Sequence, residues 1–106
     1  MIISGGENIY PTEVDDLLSQ HPDVLQVATI GVPDEKWGEA VKAVAIKRPG
    51  SSLTEAELIA YSKKHLAGYK CPKTVEFWDE LPLNAQGKIL KRVIRDKFWQ
   101  GEERAI

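Results

Sequence analysis

The chain has 106 residues, of which 42% are hydrophobic and 28% are charged, so we predict one small folded domain and no extended disorder. Its 14 basic and 16 acidic residues leave a net charge of −2, which gives no global argument for binding nucleic acid or a membrane surface. The single cysteine, Cys71, excludes an internal disulfide framework and is compatible with a reducing, cytoplasmic location. No apolar run approaches a membrane span and no signal peptide follows Met1, so we expect no stable membrane insertion.

Hydrophobic periodicity and turn residues predict seven elements in the order β-α-β-β-α-β-α. They are a strand at 1–4, a helix from Pro11, strands at 24–32 and 40–46, a helix at 54–66, a strand at 73–78 and a helix at 88–99. Thr54 and Glu57 have the spacing of a capping box, and 33–38 is expected to be a loop. The order predicts an α+β fold, a small two-layer domain with a central three-stranded sheet, mixed or antiparallel, helices packed on it and a short N-terminal strand.

Gly5 and Gly6 follow the first predicted strand, and the pair has two interpretations. It can form a tight turn, or it can let a ligand lie against the backbone without meeting a Cβ atom. The residues alone favour the turn. Neither the dinucleotide nor the nucleotide-triphosphate glycine pattern is present.

Two aromatic residues, Trp37 and Tyr69, fall on predicted loops. Lys36 lies beside the first, and Lys70 and Lys73 follow the second. Such a combination suits a planar base and its phosphates. It is equally compatible with two rings that cover the ends of the core, and composition does not decide between these alternatives.

Lys88 follows Gly87 in a polar turn at the predicted start of the last helix. A cation is poorly placed at the positive end of a helix dipole, which indicates weakly that this lysine serves an anion. The alternative is an ordinary solvated lysine. Because the chain shows no convincing nucleophile, metal cluster or phosphate loop around it, we expect the partner of Lys88 to be bound elsewhere.

Other candidate groups offer little chemistry. Lys91, Arg92 and Arg95 follow Lys88 on one helix face and are expected to form a solvated surface. Cys71 has no histidine near it in the sequence, so an inert structural cysteine is favoured over a nucleophile. Neither the histidines nor the scattered carboxylates form a pattern that predicts a metal site or an acid–base pair.

Four segments occur together in one order: ISGGENIYPTEV at 3–14, GVPDEKWGE at 31–39, YKCPK at 69–73 and LPLNAQGKILK at 81–91. With these segments, the sequence resembles over essentially its whole length the C-terminal domain of adenylate-forming enzymes. That family includes acyl-CoA synthetases, aryl-CoA ligases, adenylation domains of peptide synthetases and beetle luciferase. The resemblance implies that residues 1–106 are a mobile C-terminal domain, and that a large N-terminal domain, absent here, binds ATP, Mg²⁺ and the acyl group.

The resemblance also implies a two-step reaction. ATP activates a carboxylic acid to an acyl-adenylate, and CoA then takes the acyl group as a thioester. Lys88, positioned by Gly87, matches the lysine of the adenylation step. Gly5 and Gly6 match the place where the thiol arm of pantetheine passes when the domain has swung to its second pose.

Trp37 and Tyr69 match positions near the CoA nucleotide in some relatives. Position 71 is often basic in this family, and since Cys71 stands there, Lys70 or Lys73 is expected to meet a CoA phosphate in its place. The implied partners are the chain's own N-terminal domain, CoA and a small-molecule carboxylic acid, with no nucleic acid.

Two alternatives to a CoA ligase stay open. The acceptor can be the pantetheine arm of a carrier protein, in which case the chain belongs to an adenylation domain. The chain can also be a non-catalytic CoA-binding module. In the leading interpretation, the 106 residues fold on their own but are inactive without the large domain.

Overall fold

The computed structural model describes residues 1–100, in which five strands form one mixed sheet with three α-helices packed against it. The strands are β1 (Ile2–Ser4), β2 (Glu7–Ile9), β3 (Val24–Asp34), β4 (Gly38–Lys47) and β5 (Thr74–Phe77). The helices are α1 (Pro11–Leu18), α2 (Glu55–His65) and α3 (Lys91–Trp99), and a short 3₁₀ turn occupies Gly68–Lys70. The α+β class is therefore confirmed, including the three central strands and the short N-terminal strand.

Strand β4 is the centre of the sheet. It pairs antiparallel with β3 along its whole length, from Asp34 opposite Gly38 to Val24 opposite Lys47. On its other side it pairs antiparallel with β1, through Ser4 opposite Gly38, and parallel with β5 farther along. Strand β2 pairs only with β1, so the sheet order is β2-β1-β4-β3 with β5 beside β4.

Both faces of the sheet are covered, because β4 is apolar on both sides. Val41, Ala43 and Ala45 face α1 and α2, while Val44 faces α3. A strand buried on both faces is a continuous apolar run rather than an alternating one, as residues 43–46 are. The first core includes Ile9, Val14, Leu18, Val41 and Leu58, and the second contains Ala28, Ile30, Val44, Leu81 and Ile94.

Helix α2 begins at the predicted capping box. The amide of Glu57 donates to Oγ1 of Thr54 at 3.2 Å, and the amide of Thr54 donates to Oε1 of Glu57 at 2.9 Å. The two side chains therefore satisfy amides that the first turn of a helix leaves without partners. None of the three helices within the described part of the chain is long and apolar enough to cross a bilayer.

The helices lie on both faces of the sheet, so the domain has three layers rather than the two expected. Three further features differ from the sequence-based expectation. Strand β2 was not predicted, since its three residues, Glu7–Ile9, carry no apolar pattern. Strands β3 and β4 continue into the expected loop, which shortens to residues 35–37. Helix α3 begins at Lys91 rather than at 88, because Leu83 pairs with Ile89 and holds the preceding residues in a small hairpin.

Lys42 joins β4 to its neighbours on the α3 side of the sheet. Its Nζ lies 2.9 Å from Oε2 of Glu76, 3.3 Å from Oγ1 of Thr74 and 5.0 Å from the centre of the Phe98 ring. Trp78 Nε1 donates to Glu76 at 3.0 Å, and this bond, together with Lys42, holds the pKa of Glu76 below its usual value. The network thus connects β4, β5 and α3.

We expect Ile94→Ala to lower the free energy of unfolding by about 2–5 kcal/mol, because it leaves a cavity between α3 and the sheet. Val93→Ala is the matched control, since Val93 is 43% exposed on the same helix. Its effect should stay below about 1 kcal/mol. Urea denaturation of both variants measures the difference, and equal losses would contradict the packing described for α3.

Candidate functional site

A two-residue turn, Gly5–Gly6, closes the hairpin between β1 and β2. Both residues have positive φ, +57° and +84°, and the flanking pair is Ser4 opposite Glu7. Two successive residues with positive φ are typical of a type I′ hairpin turn, which glycine adopts without steric cost. The turn favoured by the sequence is confirmed, and the approach of a ligand to it stays a prediction.

The indole ring of Trp37 lies directly against Gly5. The amide of Gly5 donates to the carbonyl oxygen of Trp37 at 2.9 Å. A Cβ atom at Gly5 would lie 2.6 Å from Cε3 and 3.0 Å from Cζ3 of the ring, whereas a Cβ atom at Gly6 would meet nothing within 4 Å. Gly5 is thus required both by its φ and by the ring, and Gly6 leaves its outer side open.

Two lysines surround the same ring. The ammonium groups of Lys36 and Lys73 lie 4.8 and 5.6 Å from the ring centre of Trp37. Oδ1 of Asp34 accepts the amides of Lys36 and Trp37, each at 2.9 Å, and so fixes this loop. Because Trp37 is still 40% exposed, the cluster of Gly5, Lys36, Trp37 and Lys73 is an accessible aromatic and cationic surface. We call it the tryptophan cluster.

Tyr69 and Lys70 form a separate pair. Tyr69 is exposed on the 3₁₀ turn, and the ammonium of Lys70 lies 5.8 Å from its ring centre. Lys70 also lies 3.0 Å from Oε1 and 3.2 Å from Oε2 of Glu13, and this hydrogen bond raises the pKa of Lys70. Among residues 1–100, no ring contact joins Tyr69 to Trp37. Lys70 is therefore tied to α1, while Lys73 belongs to the tryptophan cluster.

Cys71 lies between Lys70 and Lys73 in the sequence. It is buried and belongs to neither of these two groups. Its Sγ lies 3.5 Å from the carbonyl oxygen of Ala67 and 3.8 Å from that of Leu66, in a site that is almost inaccessible. The prediction of a structural cysteine is confirmed. Its side chain points into the protein, so it does not take the place of a surface cation.

Lys88 lies on a hairpin turn, not on a helix. Oδ1 of Asn84 accepts the amides of Gln86 and Lys88, each at 2.9 Å, and the amide of Asn84 donates to the carbonyl oxygen of Lys88 at 2.9 Å. Gly87 has φ +81°, which lets the chain turn back. The expectation that Lys88 lies at the positive end of a helix dipole is therefore wrong, because Ile89 and Leu90 separate it from the start of α3.

The base of this hairpin is fixed to the rest of the domain. The amide of Leu90 donates to the carbonyl oxygen of Pro82 at 2.9 Å, and Ile89 packs on the second core. Lys91 forms an ion pair with Asp15, whose other carboxylate oxygen accepts the amide of Thr29 at 2.7 Å. The ammonium of Lys88 itself has no hydrogen bond or ion pair within residues 1–100, so an exposed charge stands on a fixed base.

The basic residues after Lys88 have internal partners that sequence reasoning missed. Besides the pair of Lys91 with Asp15, the guanidinium of Arg95 lies 3.7 Å from Glu39 and 4.5 Å from the ring centre of Trp99. The expectation of a wholly solvated surface is therefore wrong for Lys91 and Arg95. The carboxylates that pair with them lie on α1 and β4, too far along the chain for any local pattern to reveal.

Comparison with known proteins gives a consistent result. The model of the AMP-binding enzyme C-terminal domain matches residues 13–88. A feruloyl-CoA synthase from an Amycolatopsis species is 54% identical over 98 residues, which are 92% of this chain and 20% of that protein. The fatty acid–acyl-carrier-protein ligase ScoC of Streptomyces coeruleorubidus is 40% identical over 105 residues, covering 99% of this chain and 20% of the relative.

Solved structures also show the same fold. The fatty acyl CoA synthetase of Mycobacterium tuberculosis superposes with a TM-score of 0.88 and 44% sequence identity. The match covers 95% of this chain and 20% of that one. The chain thus spans about a fifth of the length of the relatives that it matches.

We expect Asn84→Ala to loosen the Lys88 hairpin locally. Each of the two lost hydrogen bonds contributes about 0.5–1.5 kcal/mol, so amide exchange at Gln86 and Lys88 should speed up roughly 2- to 13-fold. Asn84→Asp keeps the accepting oxygen and is the matched control. Hydrogen exchange followed by NMR measures both variants, and unchanged exchange in the alanine variant would contradict the role of Asn84.

Proposed function

The chain belongs to the family of AMP-binding enzyme C-terminal domains, and on that premise we propose that it is the mobile C-terminal domain of an acyl-CoA synthetase. The full enzyme activates a carboxylic acid with ATP and transfers the acyl group to CoA. The observation that carries this proposal is Lys88, an exposed ammonium without a partner within residues 1–100, on a hairpin held by hydrogen bonds to Asn84 and by the pairing of Leu83 with Ile89. Its substrate is bound by the large N-terminal domain.

In the adenylation half-reaction, a carboxylate oxygen of the substrate attacks the α-phosphorus of ATP. The bond from that phosphorus to the bridging oxygen breaks, and pyrophosphate leaves. Negative charge is redistributed over the carboxylate and phosphate oxygens, and the Lys88 ammonium stabilises it electrostatically. The hairpin matters because a preorganised charge does not have to be reoriented during the reaction.

In the second half-reaction, the CoA thiol loses its proton and its sulfur bonds to the acyl carbon. The bond from that carbon to the phosphate oxygen breaks, and AMP leaves. We propose that the pantetheine arm passes Gly5–Gly6, where the outer side of Gly6 is free of neighbouring atoms. Gly5–Gly6 and Lys88 lie on different hairpins. Serving both half-reactions at one site therefore requires the whole domain to turn relative to the large one.

We propose free CoA as the acceptor because its nucleotide carries phosphates that suit the cations around the exposed aromatic residues. Lys36 and Lys73 flank Trp37, and Lys70 lies beside Tyr69. Lys73 is a better phosphate partner than Lys70, since Lys70 already pairs with Glu13. A carrier-protein arm is the second candidate, favoured by the similarity to ScoC.

Mg²⁺ and ATP are assigned to the large domain. Residues 1–100 contain no group of three or more His, Cys, Asp or Glu side chains that could hold a metal ion, so this part of the chain offers no fitting metal site. Lys88 is the residue through which this domain acts in acyl-adenylate formation. We further propose a cytoplasmic location, in keeping with the single unpaired cysteine.

In the full-length enzyme, Lys88→Ala should lower the rate of acyl-adenylate formation about 10²–10³-fold, because one preorganised charge is lost. Thioester formation from supplied acyl-adenylate should survive. Pyrophosphate exchange measures the first step and thioester release the second, with the exposed Lys64→Ala as the control. Equal losses in both steps, or robust exchange by the 106-residue chain alone, would contradict the proposal.

Lys73→Ala should raise the KM for CoA roughly fivefold, the equivalent of an exposed charge contact of about 1 kcal/mol, and leave adenylation unchanged. The same assay with a phosphopantetheine-bearing carrier protein in place of CoA compares the two acceptors. Preference for the carrier protein by the unaltered enzyme would reject free CoA in favour of the second candidate.

A further inference from the structure

We propose that Trp37 is a positioning residue for the thioester-forming half-reaction, and that it acts by holding the Gly5–Gly6 turn in place. This inference rests on the proposed function, since it requires the turn to border the path of the thiol. It differs from the expectation that Trp37 serves the CoA nucleotide. The evidence is the contact between the indole ring and Gly5.

Apart from Trp37, the Gly5–Gly6 turn is supported through β1, which pairs with β4 and whose Ile3 amide donates to Oε1 of Glu39 at 3.3 Å, and through the buried open end of its hairpin. The strands that it joins have three residues each, and a two-stranded hairpin of this size is not stable by itself in water. Strand β2 pairs only with β1, which meets β4 through Ser4 opposite Gly38. At the open end of the hairpin, Ile2 and Ile9 are buried in the core. At the turn end, the support comes from Trp37, through its carbonyl oxygen and its ring.

Trp37 is itself held firmly enough to act as a support. Asp34 accepts its amide, and the next residue, Gly38, has φ +81° and enters β4. The ammonium of Lys73, just before β5, lies over the ring. Trp37 thus lies between the ends of β3 and β4, and its ring contacts Gly5 and lies near Lys73. A reactive path is best defined by residues whose own conformations are held by their neighbours.

This geometry is less suited to the alternative role, in which the base of the CoA nucleotide stacks on Trp37. The ring already contacts Gly5 and lies near two ammonium groups, at 4.8 and 5.6 Å from its centre. A base that stacked on the ring would have to displace at least one of these neighbours. The two roles also differ in what they predict, because stacking of a base on Trp37 would affect only acceptors that carry a nucleotide.

The test uses Trp37→Leu in the full-length enzyme, with acyl-adenylate supplied and two acceptors, CoA and phosphopantetheine. Since a misplacement of about 1 Å can cost up to 10²-fold, we expect kcat for thioester formation to fall roughly 10- to 100-fold with CoA. The KM for CoA should stay unchanged, and phosphopantetheine should show the same proportional loss. A higher KM for CoA with kcat unchanged would overturn the proposal, as would a loss confined to CoA.

Two further variants separate positioning from a general loss of structure. Trp37→Phe keeps a flat ring against Gly5 and should restore part of kcat. Tyr10→Leu replaces another exposed aromatic residue, one without a ring contact among residues 1–100, and should leave both steps unchanged. Adenylation, which depends on Lys88, should stay intact in all three.

The outcomes also distinguish this inference from the proposed function. If the unaltered enzyme forms acyl-adenylate but transfers it to neither thiol, the proposed function is wrong. If thioester formation is normal and Trp37→Leu leaves its kcat unchanged, only the positioning role is wrong. If Trp37→Leu and Trp37→Phe lose adenylation and thioester formation in parallel, Trp37 has a general structural role and the inference is rejected.

Discussion

The burial of β4 on both faces and along both edges is the constraint on which the rest of the domain depends. Val41, Ala43, Val44 and Ala45 are all fully buried, so this strand must be covered by α1 and α2 on one side and by α3 on the other. Its edges are taken by β3 on one side and by β1 and β5 on the other. Each segment proposed to act in the reaction is therefore placed by its relation to one strand.

Two exposed hairpin turns project from this frame, and each depends on glycine with positive φ. Gly5 and Gly6 form one turn, while Gly87 belongs to the other. The pairing of β1 with β4 and the contact of Trp37 with Gly5 help to fix the first turn, and the ion pair of Lys91 with Asp15 helps to fix the second. Because both are attached to one rigid core, the proposed alternation between half-reactions needs rotation of the domain as a whole rather than a change inside it.

Local patterns in the sequence predicted most of the elements but not their junctions. The capping residues Thr54 and Glu57 identified the start of α2, since a cap depends on residues three apart. The start of α3 was misplaced, because the bonds that hold Lys88 in a hairpin come from Asn84 and from the pairing of Leu83 with Ile89. Strand β2 was missed because its conformation is imposed by the turn before it and by β1.

By itself, the sequence determined the α+β class and the candidate residues Gly5, Gly6, Trp37, Tyr69 and Lys88, because glycine pairs, exposed aromatic residues and a lysine after a glycine are local signals. Only the tertiary structure decided which of these residues meet. It placed Trp37 on Gly5, 32 positions away, and left Lys88 on a separate hairpin. The physical reason is that the pairing of Ser4 with Gly38 joins distant segments through backbone hydrogen bonds, which no local pattern of side chains encodes.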